Sequence, residues 1–154
     1  MQSVLANNLK ISYIDVGSGP ALLLLHGFSL DHTMWDNQIR DLEKKYRIIV
    51  PDLRGSGLTG NSMEEVSIQL MADDINAFID ALNIRSIAIA GFSMGGYILL
   101  EMLLRNPRTI RAAAFLSTRA SSDSIEGMKK REKQMIDIIN EGTKRFAKNF
   151  SPEI

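Results

Sequence analysis

The chain has 154 residues, 45% of them hydrophobic, and its 18 basic and 18 acidic residues balance to zero net charge. This length and composition suit one domain with a real core, and the balanced charge favours neither nucleic acid nor a membrane surface as a partner. The absence of cysteine excludes disulfides, thiolate metal sites and a cysteine nucleophile. No basic amino-terminal segment leads into a long apolar stretch, so the sequence predicts a cytoplasmic protein.

The amino-terminal part of the chain predicts a hairpin followed by buried strands. Segments 2–5 and 9–15 flank an Asn7-Asn8 turn, and the second segment alternates apolar with polar residues. Segments 21–25 and 47–50 are continuous apolar runs, which are typical of parallel strands covered on both faces.

Helices are predicted between these strands and after them. Residues 31–45 carry apolar side chains at helical spacing, with Asp31 as the expected N-cap. Ser62-Met63-Glu64-Glu65 matches a capping box, which predicts that a second amphipathic helix starts there. A third helix is predicted over 94–106 and ends at Pro107.

Two further strands, over 86–90 and 109–116, complete a regular alternation of strand and helix. The fold class is therefore α/β: a mostly parallel sheet with helices on both faces, preceded by an antiparallel hairpin. After residue 116 the composition changes, and 125–139 predicts an amphipathic helix with a basic middle. Gly142 should break that helix before a short helical stretch over 143–150.

A serine motif stands where a predicted strand meets a predicted helix. Residues 91–95 read G-x-S-x-G, a pattern that becomes specific in this context and predicts Ser93 as a nucleophile on a sharp turn. Gly91 and Gly95 support the turn because larger side chains there would collide with neighbouring segments. The helix that begins at Met94 directs its N–H groups at a developing negative charge, so the Met94 amide is predicted to stabilise it.

The end of strand 21–25 predicts the second half of this site. Gly27 lets the backbone turn, so that the Phe28 N–H joins that of Met94 in an oxyanion hole. We expect substrate to contact Gly27, Phe28, Leu30 and Met94, above the carboxyl ends of the strands.

The chain contains only two histidines, His26 and His32. His26 is either the base for Ser93 or a support for its loop; support is favoured because a triad base needs a separate carboxylate to orient it. His32 is interpreted as a surface or capping residue. Asp52, with loop N–H groups and Arg54 close in sequence, is interpreted as an anchor that fixes its turn and not as a catalytic carboxylate.

Three stretches in this order resemble the α/β-hydrolase superfamily: LLLHGF at 23–28, PDLRGSG at 51–57 and GFSMGGY at 91–97. The resemblance covers about 9–116. Within the superfamily, these stretches are similar to those of the small esterases, lactonases and C–C hydrolases or lyases. The resemblance implies Ser93 as nucleophile and the Phe28 and Met94 amides as oxyanion donors. The sequence has no metal-ligand or phosphate-loop pattern, and no cofactor or metal is expected. The resemblance also implies a core over 1–116 and the beginning of a helical lid over 117–154. Ser56 stands where many members carry histidine, which affects the packing of that loop.

The sequence departs from this superfamily in its triad. The family order is serine, then an acid, then histidine, and no histidine follows residue 32. The acid is also expected to be missing from this chain, with Asp123 as a conceivable substitute. We therefore expect an amino-terminal part of a longer hydrolase, without the last two strands, whose exposed 109–116 edge pairs with a complementary carboxy-terminal fragment or self-associates.

The expected function is a serine hydrolase of small carboxylic esters or lactones, with this chain alone inactive or weakly active. Two alternatives stay open: a C–C hydrolase or lyase on the same scaffold, and a hydrolase-like receptor that binds a small ligand without turnover. No nucleic-acid or membrane partner is expected.

Overall fold

A computed structural model of the protein describes residues 1–60, 65–105 and 107–150. Two compact units divide the chain, Met1–Ala120 and a second that begins at Ser121. The strands of the first unit are β1 (Gln2–Ala6), β2 (Leu9–Val16), β3 (Ala21–Leu25), β4 (Arg47–Pro51), β5 (Ile87–Phe92) and β6 (Ile110–Leu116). Its helices are α1 (Asp36–Leu42), α2 (Ile68–Ala81) and α3 (Met94–Arg105), with short 3-10 turns at His32–Trp35 and Pro107–Thr109.

The strands form one sheet in the order β1-β2-β4-β3-β5-β6. β2 pairs antiparallel with β1 and β4, whereas β4, β3, β5 and β6 are mutually parallel. The predicted α/β class and the antiparallel hairpin are both confirmed. The carboxyl ends of β4, β3 and β5 consequently lie side by side at one edge of the sheet.

The hairpin turn is built from asparagine, which tolerates positive φ better than most residues. Asn7 and Asn8 have φ values of 49° and 58°, as a two-residue turn with both central residues left-handed requires. Across the hairpin, Leu9, Ile11 and Tyr13 are buried, so the alternation in the sequence identifies the core face of β2. The Tyr13 ring packs edge-on against Phe78 of α2, with centroids 5.1 Å apart.

The central strands are buried on both faces, as their uninterrupted apolar runs predict. Leu23 and Leu25 belong to the core cluster packed under α2 and α3. Leu24, between them, belongs to a second cluster with Trp35 and partly buried residues of α1. The sheet is therefore sandwiched between helices and rigidly supports the loops at its edge.

The helix expected over 31–45 is shorter and begins differently. The Asp31 side chain does cap it, accepting from the Thr33 N–H, but the first turn is a 3-10 turn that becomes α-helical only at Asp36. Tyr46, which continues the helical spacing of Trp35, Ile39 and Leu42 in the sequence, lies beyond the helix and is exposed. Apolar spacing alone did not show where the α-helix ends.

The predicted start of the second helix is also corrected. Residues 62–64 of the proposed capping box lie outside the described residues, and Glu65 is not helical. α2 begins at Ile68, where the Ser67 side chain caps it by accepting from the Leu70 N–H. Its predicted apolar face is confirmed, with four buried positions: Met71, Ile75, Phe78 and Ile79.

The sixth strand is the far edge of the sheet, and β5 is its one neighbouring strand within the described residues. Every residue of β6 after Ile110 is exposed, although most are apolar: Ala112, Ala113, Ala114, Phe115 and Leu116. Both faces of this strand are therefore exposed in the part of the chain that the structure describes.

The second unit contains α4 (Ile125–Glu141) and α5 (Thr143–Phe150), separated by Gly142 with a φ of 81°. Ser124 caps α4, and none of its residues is buried. Within the described residues, no helix has the length and apolar character needed to cross a membrane.

Candidate active site

Ser93 occupies the turn between β5 and α3. Its φ of 50° lies in the left-handed region that residues with a Cβ rarely adopt. Such a conformation costs on the order of 1–3 kcal/mol and persists only where the surroundings enforce it. Ser29 and Ser117, which follow the neighbouring strands β3 and β6, also have positive φ, of 61° and 47°. Three of the six described non-glycine residues with positive φ therefore follow the carboxyl ends of adjacent strands.

Two glycines let α3 approach the strands closely enough to form this turn. A Cβ on Gly91 would lie 2.4 Å from the carbonyl oxygen of Gly95. A Cβ on Gly95 would lie 2.5 Å from the carbonyl oxygen of Leu25 in β3. Side chains at either position would force the helix away from the sheet, so both glycines are sterically required.

Hydrogen bonds to both sides of the Ser93 backbone hold the turn. Its N–H donates to the Leu116 carbonyl over 2.9 Å. Its carbonyl accepts from the Gly96 N–H at 3.0 Å and from the Thr118 hydroxyl at 2.8 Å. Ser93 itself is half-buried at the amino terminus of α3, where Met94 is the first helical residue and is likewise half-buried.

The loop after β3 lies against the serine. Leu25 pairs with Gly91 in the sheet, and a Cβ on Gly27 would lie 3.3 Å from the Ser93 Cβ. Phe28 and Leu30, on the same loop, are 56% and 39% exposed, so they line an open surface and not the core. The structure therefore brings Gly27 to Ser93, with Phe28 next to Gly27 in the chain.

His26 is fully buried and both of its ring nitrogens are engaged. Nε2 accepts from the Leu53 N–H at 2.9 Å, so Nδ1 carries the proton and donates to the Gly27 carbonyl at 2.8 Å. Burial lowers the pKa of the imidazole from its ordinary 6.5, and the bond to Gly27 only partly opposes this. A ring with no free nitrogen cannot accept the serine proton, which argues against His26 as the base.

His32 was interpreted as a surface or capping residue, and this was wrong. Its ring is mostly buried and its Nδ1 lies 2.8 Å from Asp52 Oδ1, which also accepts the His32 backbone N–H at 2.9 Å. Asp31, and not His32, is the cap. The two partners are 20 residues apart, and they meet because β3 and β4 are adjacent and parallel, which no local pattern reveals.

Asp52 is a fully buried carboxylate at the end of β4. Besides His32, it accepts the Leu58 N–H on its other oxygen at 2.8 Å. A Cβ on Gly57, where φ is 52°, would lie 2.2 Å from that oxygen. These contacts are those of a residue that organises two loops, the one with His32 and its own.

Arg54, two residues after Asp52, does not pair with that carboxylate in the described contacts. It forms a buried bidentate ion pair with Asp74 of α2, with both N–O distances 2.7 Å. Asn7 of the hairpin donates to the same carboxylate at 2.7 Å. This network joins the hairpin, the loop after β4 and α2. Asp123, the candidate acid, pairs with Arg131 inside the second unit.

The arrangement offers a hydroxyl on a strained turn, a helix amino terminus and a neighbouring glycine loop. The described hydrogen bonds connect neither His26 nor His32 to Ser93. Within the described part of the chain, no three His, Asp or Glu side chains gather as a metal site.

Comparison with known proteins agrees with this geometry. The family model described as alpha/beta hydrolase fold matches residues 20–143. The AB hydrolase superfamily protein YisY of Bacillus subtilis is 39% identical over 93 residues, which cover 60% of this chain and 35% of that protein.

Two solved esterases are similar over nearly the whole chain. A thermophilic esterase from Thermogutta terrifontis has a TM-score of 0.91 and 30% identity, covering 100% of this chain and 59% of that one. The esterase EaEST from Exiguobacterium antarcticum has a TM-score of 0.89 and 26% identity, covering 97% of this chain and 59% of its own. The chain thus spans less than two thirds of the length of each of these relatives. With the family model matched over most of its residues, the chain belongs to the alpha/beta hydrolase fold family.

Proposed function

We propose that Ser93 is the nucleophile of a serine hydrolase acting on small carboxylic esters or lactones. The observation that carries this proposal is the left-handed φ of 50° at a serine between β5 and α3. Strain of this kind recurs where a side chain must be presented for chemistry. Similarity to two esterases over 97% or more of the chain supports the choice of substrate class.

In the proposed reaction, Ser93 Oγ forms a bond to the acyl carbon while its proton passes to a base. The carbonyl electron pair moves onto oxygen, and the Phe28 and Met94 N–H groups stabilise the resulting oxyanion. Collapse of this intermediate breaks the bond between the acyl carbon and the alcohol oxygen, which takes up the proton; in a lactone this opens the ring. Water then attacks the acyl carbon with the help of the same base, and Ser93 leaves with its proton restored as the acid is released.

The base for this reaction is proposed to lie outside the residues of this chain. His26 uses both ring nitrogens, and the described hydrogen bonds of His32 run to Asp52 and not to Ser93. No histidine follows residue 32 in these 154 residues. We propose that the acid and histidine belong to residues other than these 154, and that those residues pair with the exposed edge of β6. Without them, an oxyanion hole and binding groups retain roughly 10³ to 10⁴ over the uncatalysed rate, so this chain alone should be a weak catalyst.

Residues 117–154 are proposed to be the beginning of a lid that selects the substrate. Within its own unit, α4 exposes apolar side chains on one face, among them Met135 and Ile139. Such a face suits contact with an apolar acyl or alcohol group. The cytoplasmic location stays a prediction from composition.

A fluorophosphonate probe and an aryl acetate test the proposal together. We expect slow labelling and slow hydrolysis by the wild-type chain, both abolished in Ser93→Ala and both unchanged in Ser18→Ala, because Ser18 is exposed in the loop before β3. Equal labelling of the wild type and Ser93→Ala would exclude Ser93 as the nucleophile. Turnover of vinylogous diketones without ester hydrolysis would instead support the C–C hydrolase, and tight ligand binding without labelling would support the receptor.

A further inference from the structure

We infer that Thr118 is a positioning residue for the nucleophile. Its hydroxyl binds the Ser93 carbonyl and so keeps the turn between β5 and α3, called the serine elbow below, in its strained conformation. The inference rests on the proposed function of Ser93. Thr118 reaches no reacting atom in this scheme, since it bonds the backbone of Ser93 and not its side chain.

The first support for this role is the bonding of the Ser93 carbonyl. A backbone carbonyl can accept two hydrogen bonds, and this one accepts from the Gly96 N–H and from Thr118 Oγ1. The Gly96 bond is local, since it joins residues three apart in the first turn of α3. The Thr118 bond is the additional one, and it comes from a segment 25 residues away in sequence.

The second support is a space made for the Thr118 side chain. A Cβ built on Gly96 would lie 2.5 Å from Thr118 Cγ2 and 2.6 Å from Oγ1, and all three of its nearest atoms belong to Thr118. The glycine thus lets a branched side chain lie directly on the helix. Because threonine is β-branched, packing of its methyl group restricts χ1 and directs the hydroxyl at the carbonyl.

The third support is the path of the chain after β6. Leu116 bonds the Ser93 N–H, Ser117 turns with a φ of 47°, and Thr118 bonds the Ser93 carbonyl. One short segment therefore holds both peptide groups that flank the serine. The strained φ at Ser117 is what allows successive residues to reach both sides.

Two substitutions at this position separate the hydrogen bond from the packing. Thr118→Val keeps the shape and removes the donor, whereas Thr118→Ser keeps the donor. We expect Thr118→Val to lower kcat for the aryl acetate, and the rate of Ser93 labelling, by about tenfold with KM unchanged, since small displacements of a reacting group carry costs of this size or more. Thr118→Ser should restore most of the rate.

A matched control loses a threonine hydroxyl elsewhere. Thr59 lies in the loop after β4, and its Oγ1 accepts the N–H of Ser12 in β2. Thr59→Val should therefore reduce the free energy of unfolding without changing kcat. Amide hydrogen exchange supplies a readout that needs no turnover: Thr118→Val should speed exchange of the Gly96 and Ser93 amides, and Thr59→Val should not.

A second variant tests the same contact from the helix. Gly96→Ala should displace Thr118 and reduce kcat as Thr118→Val does, and its effect should largely vanish in a Thr118→Ala background. If the wild type is active and Thr118→Val changes neither kcat nor amide exchange, the role of Thr118 is overturned while the proposed function of Ser93 stands. If the wild type neither labels nor turns over, the proposed function fails, and amide exchange still decides whether Thr118 holds the elbow.

Discussion

The two edges of the sheet are finished in different ways. At one edge, β1 packs Ala6 and part of Val4 against the core under α2 and exposes polar residues such as Gln2 and Ser3. At the other edge, β6 is exposed at every position after Ile110, on both faces, and most of those residues are apolar.

This contrast shows that edge position and edge composition are separate properties. β1 turns Val4 and Ala6 toward the core and exposes Ser3 and Leu5 on its other face, whereas β6 has the composition of a strand that is covered on both sides. The hairpin edge is also fastened by a buried ion-pair network, while the β6 edge is fastened mainly through its bonds to β5 and Ser93.

The largest effect is expected at the hairpin edge. Asp74→Ala removes the carboxylate that binds Arg54 and Asn7, leaves a guanidinium buried, and should lower the free energy of unfolding by about 3–5 kcal/mol. Asp73→Ala is the matched control, because its pair with Arg105 is about half exposed and should contribute about 0–1 kcal/mol. Urea unfolding of the two variants measures the difference, and equal losses would contradict it.

A charge placed on each edge tests whether β6 is the one that associates. Ala113→Lys in β6 should weaken any self-association of the chain by about tenfold or more, since a lysine on an edge opposes strand pairing. Ser3→Lys in β1, also an exposed small residue, should leave association unchanged. Sedimentation velocity over a range of concentrations checks this. A wild type that stays monomeric, with slowly exchanging β6 amides, would show that the edge needs no partner.

The smallest effect is expected between the two edges, at His26. Its pKa is lowered by burial, so below pH 6.5 the unfolded chain binds a proton that the folded chain does not. Stability is therefore full above pH 6.5 and falls as the pH drops, by up to about 1.4 kcal/mol per pH unit until the folded-state pKa is reached. His26→Gln should remove this part of the slope in urea titrations at pH 5 and 7. An unchanged slope would mean that the ring is not neutral in the folded state.

Much of the fold follows from local patterns in the sequence. The bounds of β3 agree with the predicted 21–25, and the buried faces of β2 and α2 follow from the spacing of their apolar residues. The serine elbow was predicted for the same reason, since glycine spacing is a local steric signal.

What the sequence could not show depends on contacts between distant segments. The pairing of His32 with Asp52 and of Thr118 with Ser93 requires β3, β4, β5 and β6 to be neighbours in a particular order. The start of α2 was misplaced because two serines, Ser62 and Ser67, both precede apolar residues at helical spacing. Only the hydrogen bond from Leu70 identifies Ser67 as the cap.

The three left-handed serines at adjacent strand ends have a consequence for libraries of variants. At Ser29 and Ser117, where only the backbone shape is required, glycine and asparagine should be enriched by selection for expression level. At Ser93 the same substitutions relax the backbone yet discard the hydroxyl, so selection for folding and selection for turnover should favour opposite residues.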